Sequence, residues 1–332
     1  MASRHRKFDL LEIIIQGIRD DGWSIIYLSD PKFHPFRLKI YSGEESHDVR
    51  IYVWNLTHGG GARRPADEYR IQITGVEQFE PEPNGKTLIL GWWREGEVFA
   101  GFDFNKHNGH LGFSPSIQIR EEALRKAHIK GVAPWEKDNQ EIAIGFRADF
   151  ITEYIRNLES LHSFGESNQD LKVLEDVTEN PDEVNDIEIE SVTVERQTSV
   201  VSVKKKIRDN SFKSRILTSY SNKCAFCGVQ LKLIDAAHIV PVQYDGTDET
   251  SNGIALCALH HRAYDRNLVT LNGDYQILYN VKQFGQLREI GLDGGADKFV
   301  DDLRAVIHLP PTINDRPHVE YVEKANEIRG WT

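Results

Sequence analysis

Cys224-x-x-Cys227 and Cys257-x-x-His260 are two four-residue clips of zinc-binding residue types, and together they use every cysteine in the chain. Thiolates and an imidazole at that spacing reach one ion from a tight turn and a helix start, which closes a tetrahedral Zn2+ site. The interval from Cys227 to Cys257 is longer than in a zinc ribbon, as expected if a hairpin and its loop lie between the clips. Asp235, His238, Asn252, His261 and Asp265 are then left for other work. Successive helical residues project about 100° apart, so His260 can turn to the clip while His261 faces elsewhere. Histidine, with an ordinary pKa of about 6.5, is largely neutral at cellular pH and can take a proton from water.

The segments DAAHIVP, NG and HHRAYD resemble the HNH nuclease family, with His238, Asn252 and His261 standing where that family has its His, Asn and His. The resemblance covers about residues 208 to 272. It implies a β-hairpin packed on a helix around one divalent cation, Mg2+ or Mn2+, and hydrolysis of phosphodiester bonds. It also implies His238 as general base and His261 as metal ligand. The family commonly has an acid or histidine directly before the base, whereas this chain has Ala237. Asp235 shares a strand face with position 237 and is expected to supply the second ligand. Asn252 is read as a brace whose amide ties the loop after the hairpin to the helix start, and Asp265, one turn after His261, as a partner that orients its imidazole. A zinc-stabilised DNA-binding module with a decayed site is the non-enzymatic alternative.

The chain has 332 residues, 39% of them hydrophobic, enough for two domains with cores of their own. Its most apolar stretch, Leu10 to Ile18, is interrupted by Glu12 and Gln16, so no membrane span or signal peptide is expected. Cysteines held in zinc clips suit a reducing cytoplasm. The net charge of −11 is local in origin: residues 166 to 196 hold eleven acids against two bases. That tract, in residues 166–203, is expected to be an acidic flexible linker, with an edge strand over Ile187, Ile189, Val192 and Val194 as its alternative. A tract so acidic can also cover a DNA-binding surface as a mimic of DNA. The sign then reverses. Lys204, Lys205, Lys206, Arg208, Lys213 and Arg215 form a basic lead-in helix to a nuclease domain over 204–332, suited to phosphate contacts.

Residues 1–165 read as a helix over Phe8 to Arg19, then apolar or alternating runs such as VRIYVWNL and TLILGWW, then a helical segment. The expected class is α+β, with a curved antiparallel sheet or partly closed barrel flanked by helices. The loop His58 to Pro65 is rich in glycine and carries Arg63 and Arg64, a composition suited to phosphate contact. Trp92 and Trp93 must face opposite sides of a strand, leaving one to stack on a base. The combination resembles modification-dependent restriction endonucleases of phage defence: residues 1–165 would be a reader of double-stranded, modified DNA tethered to the nuclease, with dimerisation for double-strand cleavage. The alternative enzyme reading is a defence effector whose N-terminal domain senses a nucleotide messenger or a partner protein.

Overall fold

The computed structural model describes residues 4–58, 65–137 and 139–331, so the Arg63 and Arg64 loop lies outside the described residues. The chain divides into two units, 1–207 and 208–332. No helix among the described residues is long and apolar enough to cross a membrane.

The first unit is built on a nine-stranded sheet. Its strands are β1 (Ser24–Tyr27), β2 (Phe36–Ser42), β3 (Glu45–His58), β4 (Glu68–Gln72), β5 (Lys86–Trp93), β6 (Val98–Phe102), β7 (Ser116–Arg120), β8 (Val132–Glu136) and β9 (Ile142–Arg147). The order is β1-β2-β3-β5-β6-β9-β8, with β4 pairing both β3 and β7. The sheet is mixed, since β3 and β5 run parallel, and it is open, because its end strands β1 and β8 do not pair. The wholly antiparallel sheet and the partly closed barrel expected from the sequence are thereby corrected. A parallel pair needs a crossover rather than a tight turn, and no period-two pattern distinguishes the two arrangements when both faces are apolar.

Both faces are covered. On one, Leu88, Leu90 and Trp92 join the core with α1 (Lys7–Asp20). On the other, Ile89 and Trp93 pack with Phe79, Ile117 and Leu124. Trp92 and Trp93 do point to opposite faces, but each is only 4% exposed, so neither is available to stack on a base. Gly91, directly before Trp92, sits at a close approach, where a Cβ would meet Ile71 Cγ2 and Leu56 Cγ at 2.7 Å.

After α2 (Phe104–His107), α3 (Glu121–Lys130), α4 (Ile151–Arg156) and α5 (Leu158–Ser163), the acidic tract is helical and packed. It forms α6 (Asn168–Glu179), α7 (Asp186–Glu190) and the start of α8 (Val194–Ser219). The unit boundary falls within α8, after Ile207. Leu171, Leu174, Val177, Val200 and Val203 share the core of α1, so the flexible linker of 166–203 is replaced by folded structure. The edge strand is corrected too. Ile189 and Val192 are buried at 7% and 2%, whereas Ile187 and Val194 are exposed at 77% and 73%, a three-residue spacing rather than an alternation. Several acids are already paired within the unit: Asp170 and Glu166 with Arg196, Asp176 with Lys172, Glu179 with Lys126 and Lys130.

The second unit begins in α8 and continues through β10 (Ile234–His238), β11 (Gly253–Cys257) and α9 (Ala258–Asp265). There follow β12 (Val269–Leu271), β13 (Ile277–Tyr279), α10 (Val281–Glu289), α11 (Ala296–Asp301) and α12 (Val319–Arg329). β10 pairs antiparallel with β11, and α9 follows directly, so the expected hairpin and helix are present. Phe212, Ile216, Phe226, Ile254, Leu256, Tyr264 and Val322 fill the core.

The packed state of the acidic tract rests on a checkable ion pair. Arg196 Nη1 lies 2.9 Å from Asp170 Oδ2, with side-chain exposures of 9% and 4%. Burial would raise the Asp170 pKa, but hydrogen bonds from Thr193 and Arg196 hold it below the usual range. Its contribution is therefore present above the unfolded value of about 3.9 and is lost as pH falls through the lower folded value. Asp170→Ala leaves a buried guanidinium without that partner and should destabilise the first unit by about 3 kcal/mol at neutral pH, measured by denaturant unfolding. A flexible tract would leave the midpoint unchanged.

Candidate active site and metal centre

Two turns bring the four clip residues together. The knuckle at Cys224 is closed by Cys224 N donating to Val229 O and Gly228 N donating to Cys224 O, both at 2.8 Å. Gly228 takes the left-handed conformation, φ +82°, that this turn requires. Cys257 is the N-cap of α9 and His260 its third residue, which turns both side chains toward the helix start. The donor atoms of Cys224, Cys227, Cys257 and His260 all lie within 4.8 Å of one another. Cys227 and Cys257 sulfurs are 4.0 Å apart, and His260 Nδ1 is 3.5 Å from Cys224 and 3.2 Å from Cys257. Tetrahedral zinc, with Zn–S of about 2.3 Å and Zn–N of about 2.0 Å, sets donor separations of about 3.5–3.8 Å. The set fits Zn2+.

The thiols of the set differ in acidity. Burial opposes ionisation of Cys224, but hydrogen bonds from His260 and from the amides of Cys257, Cys227 and Phe226 outweigh it and lower its pKa to about 6. Burial, reinforced by neighbouring Cys224, pushes Cys227 up to about 12. A bound dication offsets both the burial and the mutual repulsion of three thiolates.

The second group of residues surrounds the end of β10. His238 stands opposite Gly253, and its ring stacks on Phe212 with centroids 3.9 Å apart and planes 5° from parallel. Gly253 makes room for this arrangement: a Cβ there would lie 2.1 Å from Ile216 Cδ1 and 2.9 Å from Phe212 Cζ. His238 Nε2 is 3.0 Å from Asp248 Oδ1. Asp248 Oδ2 is in turn 2.7 Å from an Arg208 guanidinium nitrogen, and Arg215 donates to the Asp248 carbonyl at 2.6 Å.

Asn252 is fully buried, and its amide secures the loop between the strands. It accepts from Val240 N at 2.9 Å and donates to Val240 O at 3.1 Å and Thr247 O at 2.8 Å. The brace thus ties the loop to itself, not to α9. His261 and Asp265 lie one helical turn apart with Nε2 and Oδ2 separated by 3.7 Å, an ion-pair distance too long for a hydrogen bond. Asp235 is half exposed and pairs with Lys213 at 3.2 Å. Among the described residues, the cysteine and histidine clips are the one group of three or more metal-type ligands.

The basic lead-in residues separate into two sets. Lys204 donates to Val184 O at 2.6 Å and Lys206 pairs with Asp21, both inside the first unit, so these two are structural contacts and not open phosphate ligands. Lys205 is exposed. Arg208, Lys213 and Arg215 border His238 and Asp235 as described. Asp248 and Phe212 are the site residues that the sequence reading missed. Phe212 carried an apolar-face signal only, and Asp248 sits in a loop with no periodicity, ten residues after His238.

Residues 224–272 match the family model described as HNH endonuclease, and residues 47–155 match one described as Methylase-associated X1. No curated protein matches. One similar solved structure is a modification dependent TagI restriction endonuclease, 10% identical, with a TM-score of 0.30 over 84% of this chain and 80% of that one. The HNH match spans both clips together with His238, Asn252 and His261. The second unit therefore contains an HNH endonuclease domain, and the chain is a nuclease.

Replacing one thiol tests the metal centre. Wild-type protein should carry one zinc per chain by elemental analysis, whereas Cys224→Ser should lose it and destabilise the 208–332 unit by more than about 3 kcal/mol. Zinc-free wild type of equal stability would contradict the assignment.

Proposed function

We propose that this nuclease is a divalent-metal-dependent endodeoxyribonuclease of a restriction system, directed to modified double-stranded DNA by its first unit. The observation that carries the hydrolytic part is the placement of His238: a ring held flat on Phe212 at the end of a β-hairpin, followed by a helix that carries His261. The directing part is supported by a Methylase-associated X1 match in the same chain as an HNH match.

In this reading His238 is the general base. A water proton passes to its imidazole, the water oxygen's electron pair forms the new P–O bond, and the scissile P–O bond breaks with its electron pair going to the leaving ester oxygen, which solvent protonates. Asp235 and His261 would hold Mg2+ or Mn2+, which would neutralise charge developing on the phosphate and leaving oxygen. Asp265 lies within Coulomb range to steady His261. Arg208, Lys213, Arg215 and exposed Lys205 supply positive charge for the DNA backbone, which fixes position without reading sequence. Arg63 and Arg64 are proposed to add phosphate contacts from the first unit. Zn2+ on Cys224, Cys227, Cys257 and His260 is structural. A break in both strands needs two cuts, which a transient homodimer on DNA would supply.

Matched unmodified, methylated, hydroxymethylated and glucosylated duplexes, incubated with Mg2+ or Mn2+, test the reading. Wild type should cut one modified substrate selectively, and His238→Ala should lose about 10²- to 10⁴-fold in rate while keeping its zinc and unfolding midpoint. Equal cutting of all substrates would remove the directing role, and full activity in His238→Ala would remove the base.

A further inference from the structure

We propose that Asp248 is a positioning residue that keeps the His238 proton on Nε2, so that Nδ1 presents its lone pair to the attacking water. The proposal rests on the reading of His238 as general base, but the arrangement that supports it is geometric. A neutral imidazole has one N–H and one acceptor nitrogen, and an ionised carboxylate can only accept. With Nε2 3.0 Å from Asp248 Oδ1, the bond forms when Nε2 carries the hydrogen. The Phe212 face, 3.9 Å away and nearly parallel, prevents the ring from tipping out of that plane.

Asp248 is itself held without help from His238. Its other oxygen takes the bond from Arg208, and its carbonyl takes one from Arg215. Arg208, Phe212 and Arg215 are spaced i, i+4 and i+7, so they form one stripe of α8. The loop carrying Asp248 is closed on itself by Asn252, and at Gly246 a Cβ would lie 1.8 Å from Val240 O. One helix face therefore carries the ring that sets the plane of the imidazole and the guanidinium that sets the carboxylate.

Arg208 makes the proposal unusually testable. A guanidinium only donates. In Asp248→Asn the amide oxygen must therefore turn to Arg208, which leaves the amide NH2 facing His238 Nε2. That group needs an acceptor there, so the proton should move to Nδ1, the atom required as base. The isosteric variant should then be worse than Asp248→Ala, which merely frees the ring.

The test is two-bond nitrogen–proton NMR of the full chain labelled at histidine nitrogens, near pH 8, where an ordinary imidazole is neutral. The His238 signal is assigned by its loss in His238→Ala, and cleavage kinetics are measured on the same samples. Expected are the Nε2–H tautomer in wild type, a mixture in Asp248→Ala and the Nδ1–H tautomer in Asp248→Asn. Expected kcat losses are about 10-fold for Asp248→Ala and at least about 100-fold for Asp248→Asn, with KM within about threefold and zinc retained. The double variant Arg208→Ala, Asp248→Asn frees the amide to rotate and should recover the Nε2–H tautomer. A wild-type Nδ1–H tautomer, or an Asp248→Asn spectrum identical to wild type, overturns the proposal. The NMR result stands apart from the nuclease reading: the expected tautomers with no kcat effect would retain the positioning and reject His238 as base.

Discussion

Four donor atoms from two turns converge within 4.8 Å, and the geometry of the nuclease unit depends on that convergence. Three sulfurs and an imidazole packed this closely cannot all ligate as thiolates without a compensating charge, because burial and mutual repulsion both oppose ionisation. A tetrahedral ion would supply that charge and would join the Cys224 knuckle to the first turn of α9. Once His260 is fixed at the third helical position, the rotation of α9 about its axis is fixed as well. His261 then projects about 100° away. β11 ends at the same cysteine that begins α9, and β10 pairs with β11 through His238, so His238 and His261 inherit their positions from the cysteine and histidine cluster.

The second constraint comes from α8. Its stripe of Arg208, Phe212 and Arg215 lies along the loop that ends β10, and Gly253 lets that helix approach closely enough for Phe212 to reach the His238 ring. The NG pair in the sequence thus has two different physical roles. Asn252 supplies three hydrogen bonds that close the loop, while Gly253 supplies the absence of a side chain. Gly253 is not a turn former in the ordinary sense, since its backbone angles are extended.

Much of the nuclease unit was legible because its signals are local. Each clip spans four residues, the hairpin and helix follow one another without a break, and adjacent histidines on a helix must diverge. The rest required tertiary information. In residues 166–203, net charge suggested a solvated linker, but Arg196 neutralises Asp170 in the interior and the three-residue spacing of Ile189 and Val192 places both in the core. Lys204 and Lys206 counted as free cations until their partners, Val184 O and Asp21, came from distant segments. β5 is apolar on both faces, so its parallel pairing with β3 could not be distinguished from an antiparallel one. Asp248 had no periodic or spacing signal, because loop residues acquire their neighbours only when the loop closes.

Two adjacent histidines are thus proposed to serve two different metals, His260 one that holds the fold and His261 one that would hold the reacting phosphate. Zinc content and DNA cleavage measured together in His260→Ala and His261→Ala test this most directly. His261→Ala is expected to keep one zinc per chain and lose cleavage, while His260→Ala is expected to lose the zinc. Loss of zinc in His261→Ala, or wild-type cleavage by that variant, would contradict it.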